Sequence, residues 1–512
     1  MSAAPIAARA ETENPLVEGL ERLPVRPTSL VIFGGTGDLA HRKLLPALYN
    51  LAHEGALPER LELIGVARRD QEHDDFQAAS RESIERFSRR EPDPQVLEGL
   101  VDDMRYVSGS FDDDAVYAEL TRTLREFDEQ AGHPLNRIFY LSTAPEFFPV
   151  IAAKLGAAQL HLAENAEVRI VIEKPFGYDL ASARELNAKL LEVFDESQVF
   201  RIDHYLGKET VQNLMALRFA NALFEPVWNR NYIDHVQITA AEDMGIGGRS
   251  GYYERAGALR DLVQNHMLQL LALLTMEPPT SFEANRLRDE KLKVLEAIVP
   301  PSVEEVSSMA IRGQYGPGDV GGLAVPGYLQ EEGVAPDSRT ETYAALRLHV
   351  SNWRWAGVPF FIRTGKRLPV TQTELRVVFR HPPRLGFVPE GHRQPAPSQL
   401  IVKIDPATGI RIVLDARRAD SPTPQEIDLD MEFAAEGGEG ATPYEVLLRA
   451  AIQGDSTQFT RQDSVEETWR ILQPLISHPP DAHAYPPGSW GPKTADRLTA
   501  GYGPWRGPWL SP

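Results

Sequence analysis

Hydrophobic and polar positions over the first two hundred residues predict short strands that alternate with helices. An apolar run at 29–33 is followed by the Gly-rich segment 34–40, and apolar residues then recur at helical spacing over 43–53. This alternation predicts an α/β domain built on a parallel sheet. Further apolar runs predict strands at 61–67, near 104–107, and at 137–142, 168–172 and 198–202, with a helix over 180–194.

The pattern changes after residue 221. An alternating run over 236–241 predicts a half-buried strand, and a long apolar stretch over 258–275 predicts a helix. The strand-like runs that follow have no long helices between them, which predicts a large, mostly antiparallel sheet covered by helices on one face. These runs lie at 309–314, 343–351, 360–363, 374–380, 399–404 and 410–414; later helices are predicted over 444–453 and 464–475, and an extended strap over 486–512.

Composition narrows the class of protein. The 512 residues carry 73 acidic and 53 basic side chains, a net charge of −20, which argues against general nucleic-acid or anionic-membrane binding. There is no Cys, so disulfides, thiol nucleophiles and Cys-ligated metals are excluded, and no metal site is predicted. Without a membrane-spanning run or a signal-peptide pattern, we expect a cytoplasmic enzyme. An anionic small substrate needs only a local cluster of basic residues.

The Gly-rich segment indicates a dinucleotide site. Between a predicted strand and a helix, Gly35-x-Gly37-x-x-Ala40 fits the fingerprint whose glycines let the backbone approach a pyrophosphate. The next strand ends in Arg68 and Arg69, where an Arg accepts the 2′-phosphate of NADP and an acid would bind the ribose of NAD. We therefore expect NADP, while the nearby Asp70 keeps NAD use open. The alternative is an exposed basic pair at the start of a loop.

Two further strands deliver polar residues to the same edge of the sheet. The strand at 168–172 runs directly into Lys174, and the strand at 137–142 ends just before Pro145. Ligands of open α/β folds bind at the carboxyl ends of the strands, so we expect Lys174 to face the ligand crevice. The alternative is a surface lysine at the start of a loop.

The segment 201–209 has the highest density of functional side chains. His204, Tyr205 and Lys208 together supply donors and one positive charge suited to a phosphate group. Asp203 would oppose phosphate binding unless its carboxylate served a histidine elsewhere in the chain. The alternative is a polar turn that caps the helix starting near Lys208.

A partner for Asp203 is found in the apolar helix predicted over 258–275. His266 stands there among apolar residues, a position usually held by a satisfied core histidine. Near a hydride-accepting cofactor, a carboxylate-bound histidine suits removal of the proton from an alcohol that is being oxidised. Asp261 precedes His266 by five positions, about 140° around an α-helix, so the two could flank a ligand.

From about Ser29 to about Pro492 the chain resembles the glucose-6-phosphate dehydrogenase family. Segments 201–209 and 173–177 carry most of the likeness, and the other matching segments are 34–40, 264–266, 312–315 and 363–366. The resemblance implies a dinucleotide-binding domain over 28–203 and a substrate-binding and dimerisation α+β domain over 204–512, after a disordered tail at 1–27. It also implies homodimers or homotetramers joined through the large sheet.

The resemblance implies a role for each matching residue. His266 would take the proton of the sugar C1 hydroxyl, and Asp203 would pair with it. Pro175 would follow a cis peptide bond, as in the family. The remaining implied ligands fall into two sets. For the sugar phosphate these are Lys174, His204, Tyr205, Lys208, Glu242, Asp261 and Lys366; for the cofactor they are Gly34, Gly35, Thr36, Gly37, Asp38 and Leu39 at the pyrophosphate, Arg68 at the 2′-phosphate, and Tyr140, Pro145 and Lys174 at the nicotinamide.

The implied reaction is oxidation of glucose 6-phosphate to 6-phosphoglucono-1,5-lactone with hydride transfer to NADP. Two positions depart from the family: Thr371 stands where many relatives carry a second basic residue, and Asp405 stands where they often carry Gln. Some relatives bind a second, structural NADP, and the residues for it are not identified in this sequence. The alternatives are a two-domain dehydrogenase of another sugar and a cofactor-binding regulator without turnover.

Overall fold

The structure is a computed structural model that describes residues 26–281, 283–384, 386, 394–406, 408–417, 424–433 and 440–509, without the side chains of residues 209 and 210. The tail predicted over 1–27 therefore lies almost wholly outside the described residues. None of the described helices combines the length and apolar character needed to cross a membrane.

The described part of the first domain contains a seven-stranded sheet in the order β17-β6-β5-β4-β1-β2-β3. All neighbours pair in parallel except β17, which pairs antiparallel with β6. The central strand β1 is buried on both faces, which explains its unbroken apolar sequence. The strands are β1 Thr28–Phe33, β2 Leu61–Ala67, β3 Arg105–Ser108, β4 Asn136–Leu141, β5 Val168–Ile172, β6 Val199–Ile202 and β17 Phe459–Thr460.

Helices cover both faces of this sheet, giving the doubly wound arrangement that the sequence predicts. The first helical turns after β1 are a π-helix, Ala40–Leu44, which continues into an α-helix. The helices are α1 Leu45–His53, α2 His73–Phe87, α3 Pro94–Val101, α4 Asp114–Ala131, α5 Phe148–Ala157 and α6 Leu180–Leu191.

The second domain is built on a nine-stranded sheet, counted over the described residues, in the order β16-β15-β14-β13-β7-β12-β11-β8-β18. It is mostly antiparallel, as predicted, but β7 with β12 and β8 with β18 pair in parallel. The strands are β7 Ile233–Ala241, β8 Ala310–Tyr315, β11 Tyr343–His349, β12 Pro359–Gly365, β13 Gln372–Phe379, β14 Gln399–Asp405, β15 Gly409–Arg417, β16 Pro424–Glu432 and β18 Ala482–Tyr485; β9 Gly318–Val320 and β10 Leu323–Val325 form a separate hairpin.

The helices of the second domain correct one prediction. The segment predicted as one helix over 258–275 is α8 Ser250–Ala258, a π-helix Leu259–Met267 and α9 Leu268–Thr275. Helix α10 Ala284–Ala297 lies before the first of the predicted strand runs and was not predicted; its mixture of charged and apolar residues buries only one face. The other helices here are α7 Glu209–Phe219 and α11 Val306–Met309.

The chain then returns to the first domain. Helices α12 Pro443–Gln453 and α13 Gln462–Ser477 place Leu447, Leu448 and Trp469 in the cores on the two faces of the first sheet. Glu445 is buried and forms an ion pair with Arg89 of the first domain at 2.7 Å. A boundary at 203/204 stays a prediction, and 443–477 contributes to the packing on both sides of it.

The predicted strap crosses the strand face opposite the helices. Arg363 of β12 lies over the ring of Trp490 at 4.6 Å and that of Trp505 at 4.9 Å. Gln372 of β13 donates a hydrogen bond to the carbonyl of Trp509 at 2.6 Å. These contacts hold the segment to residue 509 against the sheet; 510–512 lie outside the described residues.

Candidate active site

A cavity of about 540 Å³ lies where the carboxyl ends of β4, β5 and β6 meet the second domain. This is the edge at which ligands bind in doubly wound folds. Most of its wall is polar, and it gathers residues from segments far apart in the chain. The lining residues are Leu39, Ser142, Thr143, Glu173, Lys174, His204, Tyr205, Lys208, Glu242, Arg249, Tyr252, Asp261, Leu262, His266, Lys366, Asp405 and Tyr444.

The predicted His–Asp pair is formed. His266 Nδ1 makes a short hydrogen bond to Asp203 Oδ1, and both side chains are buried, at 0% and 2% exposure. The same carboxylate oxygen accepts the backbone N–H of Tyr205 at 3.0 Å. The ring of Tyr205 stacks on His266 with centroids 4.1 Å apart, and His204 meets it edge-on at 4.4 Å. The imidazole is therefore fixed in position and orientation.

Lys174 connects the pair to the cavity. Its Nζ lies 3.0 Å from His266 Nε2, 2.9 Å from the Asp261 carbonyl and 3.3 Å from Asp261 Oδ1. An ammonium group only donates, so Nε2 is the accepting nitrogen and Nδ1 carries the proton given to Asp203. This tautomer presents the basic lone pair of His266 to the cavity. The peptide bond between Lys174 and Pro175 is cis, as the resemblance implied.

The π-helix changes the relation between Asp261 and His266. Residues five apart lie about 140° from one another on an α-helix, but hydrogen bonds in a π-helix join residues i and i+5. The two side chains therefore project to one side, where Lys174 contacts both of them. The predicted flanking arrangement is corrected to a shared face, because the local helix type differs from the assumed one.

Burial sets the protonation of the histidines. Burial lowers the pKa of His266 well below its usual range, and the positive charge of Lys174 acts in the same direction. Burial and the neighbouring His266 likewise lower the pKa of His204. Burial raises the pKa of Asp203, while the charges of His204, Lys174 and Lys291 oppose that shift. At neutral pH, His266 is thus a neutral imidazole that is able to accept a proton.

A second cluster lies at another part of the cavity wall. Lys208 Nζ lies 4.3 Å from the centroid of the Tyr205 ring and 2.8 Å from Asp405 Oδ1. The Tyr205 hydroxyl lies 3.2 Å from Thr373 Oγ1. His204, Tyr205 and Lys208 therefore face one region, as predicted, and the carboxylate of Asp405 lies in that region as well. Thr371 instead contacts exposed Asp243 and is not part of the wall.

The remaining predicted sugar ligands are also in the cavity. Lys366 Nζ forms an ion pair with Glu242 Oε2 at 2.5 Å. Tyr252 donates its hydroxyl hydrogen to Asp261 Oδ1 at 3.0 Å. Although burial opposes ionisation, the charges of Lys174 and Lys366 lower the pKa of Asp261 to about 2. The wall thus offers charged acceptors and donors to a polyhydroxylated ligand.

The Gly-rich turn has the geometry of a dinucleotide cradle. Gly34 has φ +84°, and a Cβ there would lie 2.2 Å from the Ser142 carbonyl oxygen; a Cβ on Gly35 would lie 2.9 Å from Gly65 Cα. Only glycine allows this turn to pass so close to the neighbouring strands, and the following helix starts at Ala40. The turn therefore fits a pyrophosphate at the helix N-terminus.

Among the other predicted cofactor residues, some line the cavity and others do not. Leu39 lines the cavity, Asp38 pairs with Arg42 on the surface at 2.7 Å, and Arg68 is exposed at the end of β2. Tyr140 does not reach the cavity, because it lies on a central strand at 1% exposure and donates its hydroxyl hydrogen to Glu173 at 2.6 Å. Its hydroxyl lies behind Glu173, and its predicted contact with the nicotinamide stays a prediction. Half-buried Pro145 begins a 3₁₀ turn and is also outside the cavity wall.

Sequence reasoning did not assign seven of the lining residues: Ser142, Thr143, Glu173, Arg249, Tyr252, Leu262 and Tyr444. Glu173 precedes Lys174 in a segment that had been recognised, and burial raises its pKa to about 7. Tyr252 and Arg249 come from the Gly-rich segment 245–251 and its continuation, and Tyr444 comes from α12, 270 positions after Lys174. The position of Glu173 directly after a predicted strand could have indicated that it lies in the site. No feature of the sequence around Tyr444 indicates that it lines the cavity.

Fold and site together define a class of enzyme. A doubly wound domain with a dinucleotide cradle opens onto a neutral histidine held by a carboxylate, beside a wall of ammonium and carboxylate groups. Such a site suits oxidation of an alcohol, in which the hydride passes to a nicotinamide cofactor and the hydroxyl proton passes to the histidine.

Comparison with known proteins identifies the family. Two domains described as "Glucose-6-phosphate dehydrogenase, NAD binding domain" and "Glucose-6-phosphate dehydrogenase, C-terminal domain" match residues 31–213 and 215–506. The chain is 44% identical to "Glucose-6-phosphate 1-dehydrogenase 2" of Mycobacterium tuberculosis over 98% of this chain and 100% of that one. The chain belongs to the glucose-6-phosphate dehydrogenase family.

Solved structures of similar proteins support the same family. A crystal structure of glucose-6-phosphate 1-dehydrogenase from Mycobacterium avium is 41% identical and superposes with a TM-score of 0.81, over 95% of this chain and 100% of that one. Another glucose-6-phosphate dehydrogenase, in complex with its substrate glucose 6-phosphate, is 35% identical with a TM-score of 0.85, over 94% and 99%. The predicted family and fold class are thus confirmed, as is a nicotinamide-dinucleotide-binding domain.

Proposed function

We propose that this chain oxidises D-glucose 6-phosphate to 6-phospho-D-glucono-1,5-lactone, with hydride transfer to NADP. The observation that carries the proposal is the buried His266–Asp203 pair, which opens onto the same cavity as the cluster of His204, Tyr205 and Lys208. A proton acceptor and an anion receptor on one wall suit a sugar that carries a phosphate away from its reacting carbon.

His266 is the proton acceptor in this reaction. Its Nε2 lone pair now accepts from Lys174 at 3.0 Å, so the C1 hydroxyl replaces that contact when the sugar binds. As C1 loses its hydride, Nε2 takes the hydroxyl proton, and Asp203 stabilises the imidazolium that results. Lys174 keeps its contact with the Asp261 carbonyl at 2.9 Å and lies beside the oxygen that becomes the lactone carbonyl.

The dinucleotide, when bound, supplies the acceptor for the hydride. Gly34, Gly35 and Gly37 let the chain approach its pyrophosphate, and Leu39 forms the adjoining wall of the cavity. Glu173 and Lys174 occupy the end of β5, where the cofactor and sugar regions meet.

Lys208 supplies the charge that binds the 6-phosphate, because the nearby imidazole of His204 is neutral. A neutral His204 and the hydroxyl of Tyr205 add one donor each. Glu242, Asp261 and Lys366 bind the sugar hydroxyls. Lys208 alone of the three adds a positive charge to its hydrogen bond with the phosphate anion, so it dominates affinity for the phosphate.

NADP is the preferred cofactor in this proposal. Arg68 is exposed at the carboxyl end of β2, where a dinucleotide fold places the adenine ribose. An Arg there suits a 2′-phosphate and offers no acceptor for the 2′-hydroxyl of NAD. Arg68→Ser is expected to raise KM for NADP about tenfold or more and to leave KM for NAD nearly unchanged.

The proposal includes a cytoplasmic homodimer or homotetramer joined through the nine-stranded sheet. Its edge strand β16 leaves Leu429 and Met431 each 54% exposed, which supports a subunit contact there. Light scattering of the purified full chain measures the mass; a monomer at micromolar concentration would contradict this part.

The test of the reaction is absorbance at 340 nm, where the reduced cofactor absorbs. Purified protein is assayed with glucose 6-phosphate or glucose, each with NADP or NAD. Reduction of NADP that depends on the phosphorylated sugar supports the reaction, the cofactor and the anion receptor together. Turnover with another sugar in preference would favour the alternative dehydrogenase, and NADP binding without turnover would favour a regulator.

A further inference from the structure

One oxygen of the catalytic carboxylate has no hydrogen-bond partner. Asp203 Oδ1 accepts from His266 and from the Tyr205 backbone, whereas Asp203 Oδ2 is buried and accepts from no group among the described residues. A buried carboxylate with an unpaired oxygen is costly, and that cost favours its protonated form. Because a protonated Asp203 would stabilise the imidazolium of His266 poorly, something must keep the carboxylate ionised.

A buried lysine lies within electrostatic range of this carboxylate. Lys291 of α10 is 2% exposed, and its positive charge lowers the pKa of Asp203 while Asp203 raises that of Lys291. Within the described residues, the Lys291 ammonium makes no direct ion pair or hydrogen bond. It does not line the cavity, so it acts on Asp203 from behind the wall. Helix α10 packs against α9, which continues the π-helix that carries His266.

Burial of Lys291 has no evident structural benefit. Burial lowers its pKa to about 8, which shows the cost of holding the ammonium in this position. An apolar side chain of similar length would fill the same space without that cost. Two other lysines differ from Lys291. Lys293, two positions later in the sequence, is exposed and pairs with Glu290. Lys174, in the cavity, must exchange partners when the sugar binds.

We propose that Lys291 is a positioning residue whose positive charge keeps Asp203 ionised and directed at His266 throughout the catalytic cycle. The inference deepens the proposed function and rests on it. Lys174 and Lys208 also contribute positive charge near the pair, but a bound phosphate and sugar hydroxyls engage both of them. Lys291 is separated from substrate, so its charge acts equally in the free and bound enzyme.

Other charged groups around the pair must be considered in any pH argument. His204, Lys174 and Lys291 act on Asp203, and Asp203 acts in turn on Glu173. Lys174, Asp261 and Lys208 act on His266. Of the described charged groups, Asp203 and Arg288 act on Lys291, and the charges of Glu196, Arg461, Arg201 and Asp463 act on Arg288. Replacing Lys291 thus changes the charge near Asp203 without removing a ligand of the sugar.

The test compares Lys291→Met, Lys291→Arg and the control Lys293→Met in the full-length enzyme. For Lys291→Met we expect kcat to fall about tenfold, a part of the 10²- to 10⁴-fold that a general base contributes, with KM for glucose 6-phosphate within about twofold. Loss of a nearby positive charge raises the proton affinity of the pair, so the acid limb of kcat moves up by about one pH unit. Lys291→Arg restores most of kcat, and Lys293→Met behaves as the wild type.

A double-mutant cycle with Asp203→Asn decides whether Lys291 acts through Asp203. We expect Lys291→Met to have no further effect on kcat in the Asp203→Asn background. Equal effects in both backgrounds, or an unshifted acid limb, would overturn the inference while the wild-type activity upheld the proposed function. A wild type without turnover would overturn both. If Lys291→Met does not fold, Lys291→Gln removes the same charge, and its kcat and pH profile are read in the same way.

Discussion

Among the described residues, two buried histidines each pair with an aspartate, in contrasting surroundings. In the first, His266 bonds to Asp203, 63 positions earlier, at the wall of the cavity. In the second, His235 Nδ1 lies 2.8 Å from Asp234 Oδ2, its neighbour on β7. Burial lowers the pKa of both imidazoles. Composition and the burial of the imidazole therefore do not distinguish a catalytic pair from a structural one, although Asp234 is 31% exposed and Asp203 only 2%.

The difference lies at the second nitrogen of each ring. The Nε2 of His235 lies 3.3 Å from the side-chain amide of Gln237, and its ring packs edge-on against Phe361 and Tyr502 of the strap. That nitrogen is closed off from any ligand. The Nε2 of His266 faces a cavity, and the ammonium group of Lys174 that it accepts from is replaceable. A His–Asp pair can act as a general base when a ligand reaches the free lone pair of the imidazole while the carboxylate stays buried.

The largest expected effect is that of His266→Asn. The amide keeps a side chain of similar polarity but cannot accept a proton, so we expect kcat to fall by about 10²- to 10⁴-fold, the range for loss of a general base. NADP reduction at 340 nm measures it, with folding checked by circular dichroism. His235→Asn, the same change in the other pair, is expected to retain most of kcat. Comparable losses in both variants would contradict the assignment.

Lys208→Met comes next. It removes the one charge expected at the 6-phosphate, and a hydrogen bond to a charged group is worth about 1.5–3 kcal/mol, or roughly 10- to 150-fold in affinity. We expect KM for glucose 6-phosphate to rise by that factor while kcat/KM for glucose changes little. The exposed Lys189, paired with Glu185 on α6, provides a matched control as Lys189→Met. A parallel loss with both sugars would remove Lys208 from the phosphate site.

The pH dependence tests the electrostatic part of the comparison. Because burial lowers the pKa of His266, the base stays unprotonated to lower pH, and the acid limb of kcat is expected below the ordinary histidine value of about 6.5. Each pH unit below that limb should cost about tenfold in rate. Saturating substrate is needed, since the phosphate itself titrates near pH 6. An acid limb above 6.5 would indicate that protonated His266 is stabilised more than burial opposes it.

Local patterns were enough to predict much of this molecule. The alternating strands and helices of the first domain follow from apolar runs and a Gly-rich turn, and the segment 201–209 indicated its own chemistry through residue type. The family resemblance added the pairing of Asp203 with His266. These features depend on neighbours in sequence, or on motifs that a sequence displays directly.

The parts that were wrong or missed depend on packing between distant segments. The π-helix at Leu259–Met267 cannot be told from an α-helix by periodicity over nine residues, yet it turns Asp261 to the face of His266. Tyr444 reaches the cavity only because α12 packs on the first domain. Burial of Tyr140 behind Glu173 likewise depends on packing, and its predicted contact with the nicotinamide stays a prediction.

The smallest expected effect concerns Asp405, which brings a negative charge to the phosphate region. Its carboxylate pairs with Lys208 at 2.8 Å and is 42% exposed, so the pair is worth at most about 1 kcal/mol. Asp405→Asn frees Lys208, and we expect KM for glucose 6-phosphate to fall by up to about fivefold, with KM for glucose unchanged. Asp481→Asn, which breaks the exposed pair with Arg339, is the control. A rise in KM for both sugars would mean instead that Asp405 binds a sugar hydroxyl. The Lys208–Asp405 pair would then act on the substrate directly, as the His266–Asp203 pair does. Lys174 would be left as the group whose contact is replaced when the sugar binds.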